Sequence, residues 1–539
     1  MEAIGADLVA MKPVPLAAAH VEAIRTIGTE RSYAAGEMIA RLGDPMDHFQ
    51  YVVEGEIEVL DPLFEKRLGD AVLGPGQFGG ELSFLSGGKY FLAMRAVRRT
   101  VTIEVARKAM LDLMARMPEL SDHIITVFAA RRQQLIERRT SSIKVIGSDR
   151  DPDIQKVEAF LSRNRIPFQS FDLDGSDDEA LALCKLVDHE PAVILDQGRK
   201  IAQPTPRKVA RELNMNLDIP DDLRVDLLLV GGGPSGVSAA VNAAAEGMST
   251  LIVEDIAIGG QAGASSRIEN YMGFPTGIPG ADLVFRGQIQ ALRFGTCFAI
   301  PRRVEQLSVE RDGLFCGTLD GGARVLARAV LVATGVQYRR LPLERLDQFE
   351  SAGVYYAATE MEARFCRDTE AVVVGGGNSA GQAAMYLSRV ARQVHILVRG
   401  DNLSDTMSSY LLQRLKAQPN IEIHFGSEVT ALHGEDHLEE ITVQTRGVES
   451  SLPTRALFAM IGASPNTEWL SDLVELDSRG FVRTGRTVSA ERPFETSREG
   501  VFAVGDVRAG SVKRVASAAG EGSVVVPGIY EFLSNRPQA

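Results

Sequence analysis

The chain has 539 residues, 24% charged and 45% hydrophobic, with 58 Lys+Arg against 71 Asp+Glu. That length exceeds what one hydrophobic core supports, so several domains are expected. The net charge of -13 argues against nucleic acid or an anionic membrane as the main partner, and no apolar run is long enough to span a bilayer.

Residues 1–140 open with a helix-like segment and then turn β-rich. Short strands such as Gln50–Val53 and Glu56–Leu60 are separated by turns at Gly36, Gly43, Gly55 and Gly69. A helix is expected over Leu111–Arg139, ending in a basic run at Arg131-Arg132 and Arg138-Arg139. The words Tyr33-Ala34-Ala35-Gly36-Glu37, Arg41-Leu42-Gly43-Asp44-Pro45, Val53-Glu54-Gly55-Glu56 and Gly74-Pro75-Gly76-Gln77-Phe78 resemble those of the cyclic nucleotide-binding domain, a β jelly-roll. In that family the ligand site corresponds to Gly80, Glu81, Leu82 and Ser83, with the glutamate on the ribose and a following arginine on the cyclic phosphate. Tyr90 stands where the arginine is expected. A phenol cannot make the charge-assisted, forked contact of a guanidinium, so a role in packing, assembly or binding another ligand is expected.

Residues 141–218 read as strand, helix, strand, then strand and helix. The stretch from Ile143 to Leu173 resembles the first half of a thioredoxin or glutaredoxin domain, with Glu190-Pro191 where that fold has its cis-proline. The turn that would carry the dithiol is Ser148-Asp149-Arg150-Asp151, without cysteine. A degenerate docking module is expected.

The stretch from Val225 to Glu254 is the strongest signal. Val225–Val230 is a short apolar run suited to a strand buried on both faces. Gly231, Gly233 and Gly236 follow at G-x-G-x-x-G spacing, with Pro234 and Ser235 between them. The first glycine permits the tight turn, the second lets a pyrophosphate approach, and the third lets the helix pack on the strand. A second strand, Thr250–Val253, ends in Glu254, placed for a ribose diol. A second fingerprint, Gly375, Gly377 and Ala380 with Asn378 and Ser379, follows Ala371–Val374. Its second strand, Val394–Val398, ends in Arg399, and a cation there suits the 2′-phosphate of NADPH, with NADH as the weaker alternative.

Further words are Gly259-Gly260-Gln261, Ile268-Glu269-Asn270-Tyr271, Ala333-Thr334-Gly335, Phe458–Asn466, Gly505-Asp506 and Ala516–Gly522. With them, residues 225–535 closely resemble the low-molecular-weight thioredoxin reductase family. The resemblance implies a homodimer with two Rossmann-like domains, one for FAD (223–339 and 460–539) and one for NAD(P)H (340–459). It puts FAD on Gly260, Gln261, Asn270, Asp506 and the segment Lys513, Arg514, Val515. It adds Ile461 and Gly462 to the nicotinamide side. The reaction implied is hydride transfer from NAD(P)H to the flavin.

The same resemblance places a redox C-x-x-C in the segment Gly353–Glu360. Here Ala357 and Glu360 occupy the two positions, and Glu360 is the candidate to face the flavin as a proton donor. The chain's cysteines are Cys184, Cys297, Cys316 and Cys366, none at C-x-x-C spacing. Scattered thiols, and an opening stretch without a signal-peptide core, suggest a reducing, cytoplasmic setting. No spacing suggests a metal site. The fold class expected is multidomain α/β, with a jelly-roll and a small thioredoxin-like domain ahead of two three-layer nucleotide-binding domains. The acceptor is open: a docked redox protein, the ferredoxin or flavodoxin partner of reductases without a dithiol, or none in a redox-sensing flavoprotein with little turnover.

Overall fold

The structure is a computed structural model describing residues 15–535, apart from 62–65, 91, 138–140, 142, 149–150, 174–182, 184, 186, 188–189, 197–198, 214, 216–218, 266, 351, 359 and 471–472. The expectations at Arg138-Arg139, at Asp149-Arg150 and for Cys184 lie outside the described residues. Two compact units divide near residues 219 and 220.

The first unit begins with two antiparallel four-stranded sheets. One orders Thr29–Tyr33, Thr100–Ala106, His48–Glu54 and Phe78–Gly79; the other orders Met38–Ala40, Ala93–Ala96, Ile57–Asp61 and Lys66–Leu73. Along Thr100–Ala106 the residues Thr100, Thr102, Ile103 and Val105 are buried while Val101 and Glu104 are half-buried. Phe49, Phe78, Phe84 and Phe128 fill the interior with tilted and edge-on rings 5.3–6.2 Å apart. The helix expected over Leu111–Arg139 is two helices, Arg107–Arg116 and Pro118–Glu137. Pro118 accounts for the break: the residue before a proline is disfavoured in the α region, and Met117 sits at φ -126°, ψ 83°.

The same unit continues into a sheet ordered Gln169–Asp172, Lys144–Gly147, Ala192–Asp196, Arg199–Ala202. The first pair is parallel and joined through the helix Pro152–Arg163; the other pairs are antiparallel. Among the described residues the cis peptide bond is Ile300-Pro301, so the expectation of a cis bond before Pro191 is not met.

The second unit holds a mixed sheet with a parallel centre, and a second sheet that is parallel throughout. In one, Thr250–Val253, Leu223–Val230 and Arg324–Val332 lie side by side, with Val501–Ala503 pairing parallel to Arg324–Val332. Leu227, Leu228 and Leu229 are fully buried, as a run without alternation requires in a covered sheet. The other sheet is ordered Val354–Tyr355, Ala456–Ala459, Glu370–Val374, Gln393–Val398, Ile421–Phe425, all parallel. Between the two sheets the chain passes out and back through an antiparallel ribbon, Val336–Tyr338 against Ala463–Pro465.

Candidate functional site

The first site grows from the C-terminal ends of Leu223–Val230, Arg324–Val332 and Val501–Ala503, where open α/β sheets bind ligands. Gly231 has φ 105°, and a Cβ there would lie 2.4 Å from the Ala333 carbonyl oxygen. A Cβ on Gly236 would lie 2.0 Å from the Gly231 oxygen, so this glycine lets the helix Pro234–Ala245 sit on the turn. Around Gly233, in contrast, a Cβ would meet nothing within 4 Å. The open side of the turn is therefore the side on which a pyrophosphate would approach.

Three other words close on the same turn. Gly260, at φ 51°, brings the Gly259-Gly260-Gln261 bend so near that its Cβ would stand 3.3 Å from the Gly233 Cα. Gly505 abuts Ser235, since a Cβ there would be 2.5 Å from the serine Oγ. Gly522 lets the helix Val515–Ser534 press on Pro234–Ala245, as a Cβ would lie 2.2 Å from the Ser235 carbonyl. Fingerprint, GGQ turn, Ala333-Thr334-Gly335 and Gly505-Asp506 thus form one crevice.

Polar groups are already oriented in it. Glu254 accepts from the Gly232 N–H at 2.7 Å and the Ile256 N–H at 3.1 Å, fixing its carboxylate beside the turn. The Gln261 side-chain amide donates to the Val336 carbonyl at 2.6 Å. Asp506 is held in a short helical turn whose Gly505 N–H donates to Glu521. Burial raises the Asp506 pKa, partly offset by Lys513, whose ammonium also lies over the Phe481 ring. A half-buried carboxylate is best satisfied by hydroxyl donors, and a ribityl chain offers several. The glycine cradle and this acid fit FAD. Asn270 is exposed, and its neighbour Glu269 pairs with Arg414 of the helix Ser409–Ala417 at 3.2 Å.

The second fingerprint is built alike. Gly375, at φ 144°, has its Cβ direction 2.3 Å from the Met460 oxygen, and Asn378 opens the helix Asn378–Leu387. Asn378 accepts from the Ser408 N–H at 2.8 Å and Thr406 donates to the Gly376 carbonyl at 2.6 Å, so the segment 402–408 covers the turn. Arg399 follows Gln393–Val398 and is exposed, and Gly462, at φ 93°, accepts from the Arg339 N–H at 2.9 Å.

Among the described residues of the segment Gly353–Glu360, aromatic packing dominates. Tyr355 is buried, stacked on Phe365 at 5.8 Å and against Phe458 at 5.5 Å. Tyr356 stacks on Tyr338 at 5.9 Å and donates its hydroxyl to Glu350. Glu360 begins the short helix Glu360–Ala363, and its side chain lies outside the described set. Cys366 is fully buried, its thiol donating to the Ala363 carbonyl, and burial pushes its pKa up to about 12. Such a thiol is not a nucleophile at neutral pH.

In the first unit, the segment Gly80–Ser83 is engaged by the chain itself. Arg132 donates to Glu81 and, at 3.2 Å, to the Ser83 hydroxyl, while Arg131 donates to the Gly80 carbonyl at 2.9 Å. Tyr90 is buried, and burial, reinforced by Glu104, Asp47 and Asp44, raises its pKa. Arg132, part of the basic run at the end of the expected helix, is not on a solvated face but buried, where it neutralises Glu81. His395, Glu422 and His424, separated in sequence, come within ligand distance of one another.

A family model described as pyridine nucleotide-disulphide oxidoreductase matches residues 225–522, and one described as cyclic nucleotide-binding domain matches residues 30–117. A thioredoxin reductase of Mycoplasmopsis pulmonis is 31% identical over 313 residues, 58% of this chain and 97% of that one. The NADPH-dependent thioredoxin reductase 3 of Arabidopsis thaliana is 33% identical, and the match spans 58% of each chain. Among solved structures, the Lactococcus lactis thioredoxin reductase superposes with a TM-score of 0.54 at 27% identity, covering 58% of this chain and all of that one.

Proposed function

The chain belongs to the pyridine nucleotide-disulphide oxidoreductase family, and from that premise we propose that it carries electrons from NADPH to FAD and on to an acceptor without a resident dithiol. It is a thioredoxin reductase-like, NAD(P)H-dependent flavoprotein oxidoreductase that also carries a cyclic nucleotide-binding domain. One observation carries the finer reading. The position where a redox pair is expected holds Ala357 and Glu360 beside buried, stacked Tyr355, and the nearby Cys366 thiol is single and inert.

Bound in the first crevice, the flavin supplies hydride acceptance and electron delivery. The residues do the rest. Gly231, Gly233 and the start of the helix Pro234–Ala245 receive the pyrophosphate, and Glu254 takes the adenosine ribose. Asp506 accepts from the ribityl hydroxyls, with Lys513 moderating its charge. Ala333-Thr334-Gly335, Gly260, Gln261 and Asn270 line the ring side. Gly375, Gly377 and the helix start at Asn378 hold the nicotinamide pyrophosphate, and Arg399 distinguishes a 2′-phosphate from a hydroxyl. Glu360 is the proton donor toward the flavin, through its place in the dithiol segment.

The N-terminal unit is read as an interaction module. The Arg132–Glu81 pair favours this, because the carboxylate that a ribose would need is already neutralised. The strand order and helix placement of 141–218 support a thioredoxin-like domain without its chemistry. Docking of an acceptor protein, and a homodimer in the cytoplasm, complete the reading. Anaerobic stopped-flow tests it: NADPH should bleach the flavin, and added acceptors should restore it with turnover. A flavin that NADPH fails to bleach, or that no added acceptor restores, would overturn it.

A further inference from the structure

Three potential metal ligands meet on the outer edge of the all-parallel sheet of the second unit. Gln393–Val398 pairs with the edge strand Ile421–Phe425, in a register that sets His395 beside Glu422 and Leu397 beside His424. Residues two apart on a strand share a face, so Glu422 and His424 point the same way. The facing atoms are His395 Nδ1 and His424 Nε2 at 3.0 Å, His395 Nδ1 and Glu422 Oε2 at 3.7 Å, and His424 Nε2 and Glu422 Oε2 at 3.8 Å. A tetrahedral ion with bonds near ~2.0–2.1 Å needs ligand atoms about 3.3 Å apart, inside the spread of these three separations.

A second observation points the same way. His395 is 7% exposed, and its Nε2 is buried without a hydrogen-bond partner, 3.5 Å from Glu370 Oε2 on the next strand. A proton shared between the two imidazoles leaves the His395 tautomer open, since Nε2 carries a proton toward Glu370 only when Nδ1 accepts from His424. An ion on Nδ1 forces the proton onto Nε2, which then faces a carboxylate. That is the carboxylate–histidine–metal arrangement by which outer groups orient a ligating ring. Glu422 and His424 have side chains 57% and 30% exposed, so an ion can enter from solvent and keep a water as its fourth ligand.

We infer that His395, Glu422 and His424 form a site for a divalent transition-metal ion of the zinc class, with Glu370 orienting His395. Two imidazoles and one carboxylate suit zinc and exclude hard, all-oxygen cations. The site is independent of flavin and nicotinamide chemistry.

The test uses untagged, full-length holoprotein treated with EDTA and then titrated with Zn2+ against a chromophoric chelator. One Zn2+ per chain is expected. His395→Ala and His424→Ala should each weaken binding by ~100-fold or more, and Glu370→Gln by roughly tenfold, as for outer-shell partners. His433→Ala, whose exposed ring bonds only to Thr442 at 2.7 Å, should leave binding unchanged. Co2+ should give the intense visible bands of a tetrahedral centre. Flavin content and circular dichroism of each variant establish that it has folded. No stoichiometric binding by the wild type, equal affinity in folded His395→Ala and His424→Ala, or a weak octahedral Co2+ spectrum would overturn the assignment.

Discussion

Gly233 and Gly236 differ by three positions in one turn, and the structure predicts opposite consequences for adding one methyl group to each. At Gly236 the new Cβ would stand 2.0 Å from the Gly231 oxygen, so backbone must move. Overpacking of this kind costs about 1–3 kcal/mol, and it is present with or without flavin. At Gly233 the Cβ meets nothing within 4 Å, and the backbone, φ -70° and ψ -178°, is open to any residue. Two small terms oppose each other there. Removing a glycine stabilises through the unfolded chain by about 0.4–1 kcal/mol, and losing a glycine N-cap costs a similar amount. Flavin-free Gly233→Ala should therefore be as stable as the wild type to within about 1 kcal/mol, while its affinity for FAD falls at least tenfold, about 1.4 kcal/mol or more. Trp469, the chain's one tryptophan, lies in the second unit and reports its urea transition by fluorescence; calorimetric titration of apoprotein gives the FAD affinity. Wild-type FAD affinity in Gly233→Ala would refute the claim that the cofactor's phosphates lie against this turn.

Other outcomes follow from single groups. Arg399→Ala should weaken NADPH by roughly tenfold or more and NADH little, since a charge-assisted contact is worth about 1.5–3 kcal/mol; equal losses in the two Michaelis constants would make Arg399 structural. Asp506 has a folded-state pKa raised by burial, so its folded form binds more protons than its unfolded form. Flavin-free protein therefore loses stability as pH rises from the unfolded value of 3.8 through the higher folded one. Asp506→Asn should then raise the melting temperature of flavin-free protein at neutral pH, with the gain fading in acid, while FAD affinity drops. Arg132→Ala should destabilise the first unit by about 1.5–3 kcal/mol, because half-buried Glu81 loses its charge-assisted partner, and adding Glu81→Gln should recover part of that loss in calorimetry.

The parallel strands were legible because both faces are covered: Val225–Val230, Thr250–Val253, Ala371–Val374 and Val394–Val398 recur in the structure, extended by at most two residues. Gly231, Gly236 and Gly375 were legible because each answers a steric demand that no other residue meets, whereas Gly233 leaves room for a ligand. What sequence could not supply was the meeting of distant side chains. Arg132 reads as one of several surface arginines until Pro118–Glu137 lays it on Glu81, 51 positions away. The break at Met117 was readable from Pro118, but the apolar periodicity on both sides masked it. His395 and His424 lie 29 positions apart, and only the parallel register of their strands joins them. A histidine at the second position of a strand beside Glu-x-His on its neighbour is the pattern that would have found them.

On the proposed route, electrons stop at the flavin until an acceptor arrives. Anaerobic titration of the holoprotein with dithionite, followed at the flavin absorbance and with a thiol reagent, counts them directly. Two electrons per FAD should complete the reduction, with no pair of reactive thiols appearing. Uptake of four electrons per FAD, with two new accessible thiols, would show a redox disulfide that Cys184, Cys297, Cys316 and Cys366 are too scattered to form within one active segment, and would contradict it.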